Sequence, residues 1–455
     1  MVKKKKSSNK ASLRLAGEPA RRAPSLHRFY KGKIEVMPSC PVRRLDDFSY
    51  WYTPGVAAPS KEIYSNPELV NEYTGRWNSV AIVTDGSRVL GLGRVGPRAA
   101  LPVMEGKAML FKYLGGVNAY PICVQTKTPD DLINITQALE PTFGGINLED
   151  ISQPACFRVL QQLRGKMNIP VWHDDQQGTA TVIVAGFLNA LEVCNKKIGH
   201  VKVAMVGAGA ANIYTARLLM HAGVHGGNII MCDSRGILNR NRTDIKATNP
   251  YKWEMCEKTN HEQRSGGGQE ALEGTDVVIA LSTPGPGVIK PEWIKRMSSR
   301  PVVFAAANPT PKIWPWEAKE AGAYIVATGR SDFPNQINNS LGFPAIFRGV
   351  LDVGASSISN DMCIAAAETL ACWARNKGLK PDYIVPTMEE WRVYVEVAVA
   401  VGMQAIKEGI ARRHLTREKL RRQAGRIIED ARAKLHTLMR EGLVPLSPQM
   451  KTKHW

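Results

Sequence analysis

No stretch of this sequence reaches the roughly 18 uninterrupted apolar residues that crossing a bilayer requires. The longest run, TATVIVAGFLNALEVC, is interrupted by Asn189 and Glu192, so no membrane role is expected. Cysteine is sparse and unpatterned, with eight thiols in 455 residues and no Cys-x-x-Cys pair. That excludes the common zinc-ribbon and dithiol redox motifs. With no secretory signal read at the start, the thiols are expected to be reduced, in a cytoplasmic-type compartment. Acids are also in deficit, 41 against 60 lysines and arginines, which leaves a net charge of +19.

Such a charge invites a nucleic-acid partner, so its distribution matters. Much of the excess lies at the ends. Residues 1–33 carry Lys3 to Lys6, Lys10, Arg14, Arg21, Arg22 and Arg28 against one acid, Glu18. This reads as a disordered basic arm. An organellar transit peptide is the alternative, but a run of four lysines fits a cytoplasmic tail better than dispersed arginines would. Near the other end, residues 416–440 place Leu420, Ala424, Ile427, Ala431, Leu435 and Leu438 on one helical face. Arg417, Arg421, Arg422, Arg426, Arg432 and Arg440 fall on the other. No aromatics are interleaved there to stack on bases, so the face reads as solvated and nucleic acid as an improbable partner.

What the chain does contain is alternation. From about residue 77 to 175 the order is strand, helix, strand, helix, strand, helix, strand, the signature of an α/β domain. Asp85-Gly86 reads as a hairpin turn. A helix is expected from near Met104, with Lys107 in its first turns, and another after Thr128 or Asp130 as cap. The long helix GTATVIVAGFLNALEVCNKKI leads out of this domain, after which strand–helix alternation restarts. Four segments follow: a basic arm at 1–33, an α/β domain at 34–195, a second at 196–355, and a helical segment with a basic tail at 356–455. A length of 455 residues suits that division.

Two acidic pairs dominate the first domain. Glu149-Asp150 ends the apolar run FGGINL and Asp174-Asp175 ends NIPVW. The intervening helix, ISQPACFRVLQQLRG, keeps Cys156, Val159, Leu160 and Leu163 on one face. Strand, helix, strand delivers both pairs to one edge of a parallel sheet, where open α/β sheets bind ligands. Each acid taken singly could cap a helix, as could Ser152. Two pairs at equivalent positions favour a hard divalent cation instead, magnesium or manganese, because gathered carboxylates repel unless neutralised.

The second domain carries the cofactor signal. The strand VKVAMV runs into Gly207-Ala208-Gly209-Ala210-Ala211-Asn212 and a helix, and the next strand, NIIMC, ends on Asp233. Glycines allow the tight turn and close approach to pyrophosphate, and the acid holds ribose hydroxyls. Asn212 stands where a small residue is usual. Asp233 favours NAD, whereas Ser234 and Arg235 could welcome the 2′-phosphate of NADP, and both cofactors stay open. A second match, Gly91 to Gly96, reads as a chance one, because it runs into Pro97 and Pro102 with no helix expected. Asn335, Gln336, Asn338 and Asn339 precede a further helix, where turn formation competes with ligand contact.

Taken together, Tyr52-Thr-Pro-Gly-Val-Ala, Thr84-Asp-Gly with Leu-Gly-Leu-Gly, Glu105-Gly-Lys-Ala, Asn147-Leu-Glu-Asp-Ile, His173-Asp-Asp-Gln, Ala307-Asn-Pro-Thr-Pro and Ala327-Thr-Gly-Arg-Ser-Asp-Phe-Pro-Asn-Gln occur in one order. This set resembles the malic enzymes of the compact bacterial type, over roughly residues 34 to 400. The resemblance implies a malic-type α/β domain followed by a Rossmann-like dinucleotide-binding domain with C-terminal helices. It further implies oxidative decarboxylation of L-malate to pyruvate and carbon dioxide with reduction of NAD or NADP, usually by a homodimer. By that pattern Glu149, Asp150 and Asp175 ligate the metal, Lys107 is the general base and Tyr52 the general acid. Tyr52 could act across the dimer interface. Arg88 takes a position that holds the substrate carboxylate in some larger members. Asn308 and Asn339 contact substrate and nicotinamide, and Gly207, Gly209, Ala210, Ala211, Asn212, Asp233 and Asn338 line the cofactor. Gln177 stands where many compact members have histidine, and Ser60 where cysteine is frequent.

The chemistry asks for these groups independently. A lysine beside a metal and partly desolvated is expected to have a lowered pKa and so to serve as a base. A phenol can return a proton to carbon. Asp174 is expected to support the metal site without ligating. The competing readings are a 2-hydroxy-acid dehydrogenase that does not decarboxylate, and a nucleic-acid-associated protein on a dehydrogenase scaffold.

Overall fold

The run SVAIVT is buried at all six positions, as a central strand of a parallel sheet covered on both faces must be. In the computed structural model, which describes residues 13, 17–281, 285–307, 310–448 and 450, it forms β1 (Ser79–Thr84). Lys3 to Lys6, Lys10, Arg14 and Asn308 lie outside the described residues. With β2 (Asn118–Cys123), β3 (Gly145–Leu148) and β4 (Val171–His173) it makes a parallel sheet in the order β2-β1-β3-β4. Helices α1 (Glu18–Tyr30) and α2 (Ala57–Ser65) precede the sheet. Its strands are linked by α3 (Pro97–Gly115), α4 (Pro129–Ala138) and α5 (Ala155–Arg164). For α4 the cap is Thr128, whose hydroxyl accepts from the Asp131 N–H while Asp131 accepts from the Thr128 N–H at 2.9 Å.

Helix α6 (Thr179–Cys194) carries the chain to a six-stranded sheet. Here β5 (Val203–Val206) is followed by α7 (Ala210–His221), β6 (Ile229–Asp233), β7 (Gly236–Ile237), α8 (Pro250–Lys258), β8 (Val277–Ala280), β9 (Val302–Ala305) and β10 (Ile325–Thr328). The order is β10-β9-β8-β5-β6-β7, with only the short β6–β7 pair antiparallel. The chain reverses its direction of winding between β5 and β8, the crevice where open sheets take dinucleotides. Helix α6, with the turn before it, is long and apolar enough by composition to cross a membrane, but most of it is buried inside the fold. Its lone buried amide, Asn189, donates to the carbonyls of Ala371 and Ile384 at 2.9 and 2.8 Å.

Four helices close the molecule: α9 (Phe343–Val353), α10 (Asn360–Asn376), α11 (Arg392–Lys407) and α12 (Arg417–Arg440). All eleven residues of α9 are buried, because it packs against both α3 of the first unit and the C-terminal helices α11 and α12. Its charged pair, Arg348 and Asp352, sits 2.7 Å apart with no exposure. The pair is tied outward by Asn78, which accepts from Arg348 at 2.5 Å, and by Gln423, which donates to Asp352 at 2.7 Å.

Several expectations are corrected. Residues 18–33 are not a disordered arm. They form α1 and its exit, anchored where the Tyr30 hydroxyl bonds to Pro445 O at 2.9 Å and Lys33 bonds to Pro102 O at 2.8 Å. No hairpin follows Asp85, because β1 pairs with β2 and β3 in parallel and the 86–96 loop closes on itself through Gly96 N–H to Gly86 O. Helix α3 begins at Pro97, so the upstream glycine motif does run into a helix and Lys107 lies in its middle. Proline at the first helical position loses no bond the helix would have made. On α12 Ile428 is fully buried with Leu420 and Ala424, while Ile427 is half-buried against Gly116. Arg432 leaves the solvated face to lie over Tyr113, 4.3 Å from the ring centre.

Gly349 is where α9 meets α11, and a Cβ there would overlap the Ala398 carbonyl oxygen. Gly349→Ala is therefore expected to cost about 1–3 kcal/mol by overpacking. Chemical denaturation would show this as a lowered midpoint with an unchanged slope.

Candidate functional site

The C-terminal ends of β3 and β4 do bring both acidic pairs to one edge. Residues Asp174–Gly178 make a single π-type turn that opens α6, and β3 hands Glu149 and Asp150 to the same corner. Asp150 adopts φ +53°, a left-handed conformation that aspartate tolerates better than most residues and that concentrates at functional sites. Its N–H donates to Asp175 Oδ2 at 2.8 Å, which locks the two pairs together. Its carbonyl accepts the Arg88 N–H at 2.9 Å, which brings Arg88, with an exposed side chain, to the rim.

Lys107 reaches into this corner from α3 and is only 7% exposed. Its ammonium pairs with Asp174 and lies 3.0 Å from Glu149 Oε1. The Phe343 ring covers it, 4.1 Å from ring centre to Nζ. Burial lowers its pKa, but Asp174 and Glu149 more than reverse that and leave it raised. The expected lowering is thus overturned for the chain by itself, because two carboxylates at contact distance outweigh desolvation. Asp174 is spent on structure: one oxygen faces Lys107 and the other accepts the Trp172 indole N–H at 2.9 Å.

The remaining acids carry the opposite stress. Burial raises Glu149 well above its ordinary value, and burial with Asp175 as neighbour lifts Asp150 to about 8. Asp175 is also raised, chiefly by burial, although its side chain keeps 36% exposure and water screens it most. Asp150 Oδ2 is buried with no hydrogen-bond partner. Oxygen donors held against their own repulsion, one of them unpartnered, fit a hard divalent cation. Among the described residues, however, the carboxylates do not converge into a preformed metal cage. Lys107 and the Asp150 N–H already engage Glu149 and Asp175.

The nucleotide end is built on β5 and α7. Gly207 has φ +103°, and a Cβ on Gly209 would meet nothing within 4 Å, so the loop is open on its ligand side. Ala210 and Ala211 start α7 half-buried. Asn212, only 1% exposed, does more than fill space: its amide donates to Val206 O at 3.2 Å and Gly207 O at 2.6 Å. Asp233 ends β6 as expected, but its carboxylate is taken by Arg242 at 3.2 Å and Lys252 at 3.2 Å, partners the sequence reading did not single out. Burial raises Asp233, and the bonds from Arg242 and the Arg235 N–H reverse this to a net lowering.

The two ends meet. Helix α7 and the Asn339–Leu341 turn both pack against the Asp174–Gly178 turn, and Asn339 Cβ comes within 3.4 Å of a Cβ built on Gly178. Asn338 caps the Asn339–Leu341 turn, accepting from Ser340 N–H at 3.0 Å and donating to Gly329 O at 3.1 Å. Asn335 is consumed by backbone at Val326, Pro381 and Ile384. Tyr52 is not brought to the corner: it is 70% exposed, and among the described residues its hydroxyl makes no hydrogen bond. Sequence reasoning missed Asn147, which donates to Glu149 Oε2 at 3.0 Å, and also Trp172 and Phe343. Asn147, two residues before Glu149 in an otherwise apolar strand, was a signal that could have been used.

The family model described as malic enzyme, N-terminal domain, matches residues 31–164, and malic enzyme, NAD binding domain, matches residues 176–406. The bifunctional malic/malolactic enzyme of Bacillus subtilis is 46% identical over 387 residues, 85% of this chain and 93% of that one. The NAD-dependent malic enzyme of Geobacillus stearothermophilus is 46% identical over 382 residues, 84% of this chain and 78% of that one. The crystal structure of Entamoeba histolytica malic enzyme superposes with a TM-score of 0.92 at 48% identity, covering 94% of this chain and 90% of that one.

The raised acids fix a pH dependence. A carboxylate whose folded pKa lies above its unfolded value binds extra protons when folded, so it costs stability as pH rises between the two values. With divalent cations chelated, stability should therefore fall from about pH 4 to pH 8. Asp150→Asn should recover on the order of a few kcal/mol at the upper end and almost nothing at the lower. Thermal unfolding at the two pH values, with chelator, measures it.

Proposed function

The chain belongs to the malic enzyme family, and from that premise we propose that it converts L-malate to pyruvate and carbon dioxide while reducing NAD or NADP, with magnesium or manganese bound. The observation that carries this reading is a buried lysine held among carboxylates at a parallel-sheet edge, with the dinucleotide-loop helix packed on the same turn. An acid–base pair placed where a hydride acceptor arrives suits a 2-hydroxy acid.

Glu149, Asp150 and Asp175 would hold the cation. When bound, the cation withdraws charge from the substrate oxygens and offsets the carboxylates around Lys107, and the nicotinamide accepts the hydride. Lys107 takes the proton from the C2 hydroxyl, its Nζ aimed by Asp174 and shielded from water by Phe343. Trp172 keeps Asp174 in that role. Arg88, at the rim beside Asp150, meets a substrate carboxylate with its guanidinium. Asn339 stands over the Asp174–Gly178 turn and contributes an amide to substrate or nicotinamide.

Tyr52 returns the proton to carbon after carbon dioxide leaves, and we infer that it does so in a second copy of the chain. Its surroundings support this: Leu45, Tyr50, Tyr52 and Tyr64 are 85%, 72%, 70% and 90% exposed, a density of bare apolar surface that association would cover. A homodimer built on this face completes each site with its neighbour's tyrosine.

Lys107→Ala is expected to abolish malate oxidation while binding reduced cofactor as before, read by steady-state kinetics and cofactor fluorescence. Near-normal turnover would remove Lys107 as the base. Stoichiometric carbon dioxide separates this reaction from simple dehydrogenation. Tyr52→Phe should slow pyruvate formation by about 10²–10⁴-fold. Mixed dimers of Lys107→Ala and Tyr52→Phe chains should regain activity, since one site then has both groups, and no recovery would place Tyr52 in its own chain's site.

A further inference from the structure

His173 ends β4 one residue before the second acidic pair and has no exposure. Its backbone N–H donates to Gln177 Oε1 at 3.1 Å, but neither ring nitrogen has a hydrogen-bond partner among the described residues. Burial disfavours the charged form, so the ring is neutral and carries one N–H and one bare nitrogen. A buried donor is costly to leave unmade, so what lies within its reach identifies its task.

The neighbouring acids differ in what they have left to accept. Asp174 has committed both oxygens, one to Lys107 and one to the Trp172 indole. Glu149 has done the same, with Lys107 on Oε1 and the Asn147 amide on Oε2 at 3.0 Å. Asp150 turns Oδ1 to the Leu90 N–H at 3.4 Å. Asp175 is the acid within reach of the ring: its Oδ2 lies 3.8 Å from His173 Nδ1 and already accepts the Asp150 N–H at 2.8 Å.

We propose that His173 is a positioning residue for the cation site: its Nδ1–H closes on Asp175 Oδ2, which fixes that carboxylate with Oδ1 presented to the divalent ion. Two donors on one oxygen, the Asp150 N–H and the imidazole, leave the other oxygen for the cation. Carboxylates that ligate metals are commonly held by such outer donors, and in this corner the Asn147 amide does the same for Glu149. Closing the gap from 3.8 Å takes a side-chain rotation of Asp175, whose 36% exposure leaves it room to turn. The proposal rests on the reading of Glu149, Asp150 and Asp175 as metal ligands.

The test measures binding of manganese alone to the full-length, metal-stripped protein, by the electron paramagnetic resonance signal of the free ion, without malate or dinucleotide. His173→Leu, similar in volume but with no donor, should bind about 10–100-fold more weakly. His173→Asn places an amide N–H near the position of Nδ1 and should recover most of that loss. His173→Gln carries its amide to the position of Nε2 and should not. NADH titrated by fluorescence should bind all four proteins alike. A His173→Leu protein with wild-type manganese affinity overturns the proposal, as does a parallel loss of NADH affinity, which would mark general damage to the fold. An Asn variant no tighter than the Gln variant overturns it too, a comparison that stands even where His173→Leu does not fold. If wild type binds no manganese, the reading of the acids as ligands fails and takes the proposal with it.

Discussion

Charge confined at a sheet edge is the condition on which this molecule is built. Glu149, Asp150, Asp174 and Asp175 leave the ends of two neighbouring strands within reach of one another, and only Asp175 keeps substantial access to water. Left alone, such a group would protonate or pull apart. Lys107 answers two of the acids from a different helix, and the Asp150 N–H answers a third. The site is therefore held by opposing charges more than by shape, and the wells that make it reactive also make it costly to fold.

Holding a costly site requires rigid walls. The four-stranded sheet supplies one, with β1 and β3 buried along their whole length. Helix α9 supplies another: wholly buried, it presents Phe343 to Lys107 at one end and the Arg348–Asp352 pair to Asn78 further along. The same helix receives α11 and α12, so the C-terminal helices brace the first sheet although they come last in the chain. Helix α6 connects the two sheets and starts in the acidic turn itself, which gives the acidic corner and the glycine loop before α7 a shared foundation.

The basic character of the chain takes a different meaning in three dimensions. Arg421 pairs in a two-point fashion with Glu396, and Arg432 covers Tyr113. Arg235, Arg242 and Lys252 gather around Asp233 at the end of β6. Positive charge that is taken up by acids and rings of the same chain needs no nucleic acid to explain it.

The sequence by itself determined the local and the periodic. Apolar runs marked β1 to β6 and β8 to β10, turn chemistry marked their ends, and acids placed at strand ends had to reach the ligand edge because parallel strands all finish on one side. The glycine loop before α7 was legible for the same reason, since its chemistry is contained in six consecutive residues. Tertiary structure alone decided the long-range pairings. Lys107 with Asp174, Phe343 over Lys107, Asp233 with Arg242 and Lys252, and Lys312 with Val206 join residues far apart in the chain, with no periodicity to announce them. The pKa of Lys107 turned on such a pairing: composition suggests a desolvated lysine with a lowered value, and only the arrival of Asp174 and Glu149 at contact distance reverses the sign. Coulomb energies depend on separation in space, and separation along the chain carries no record of it.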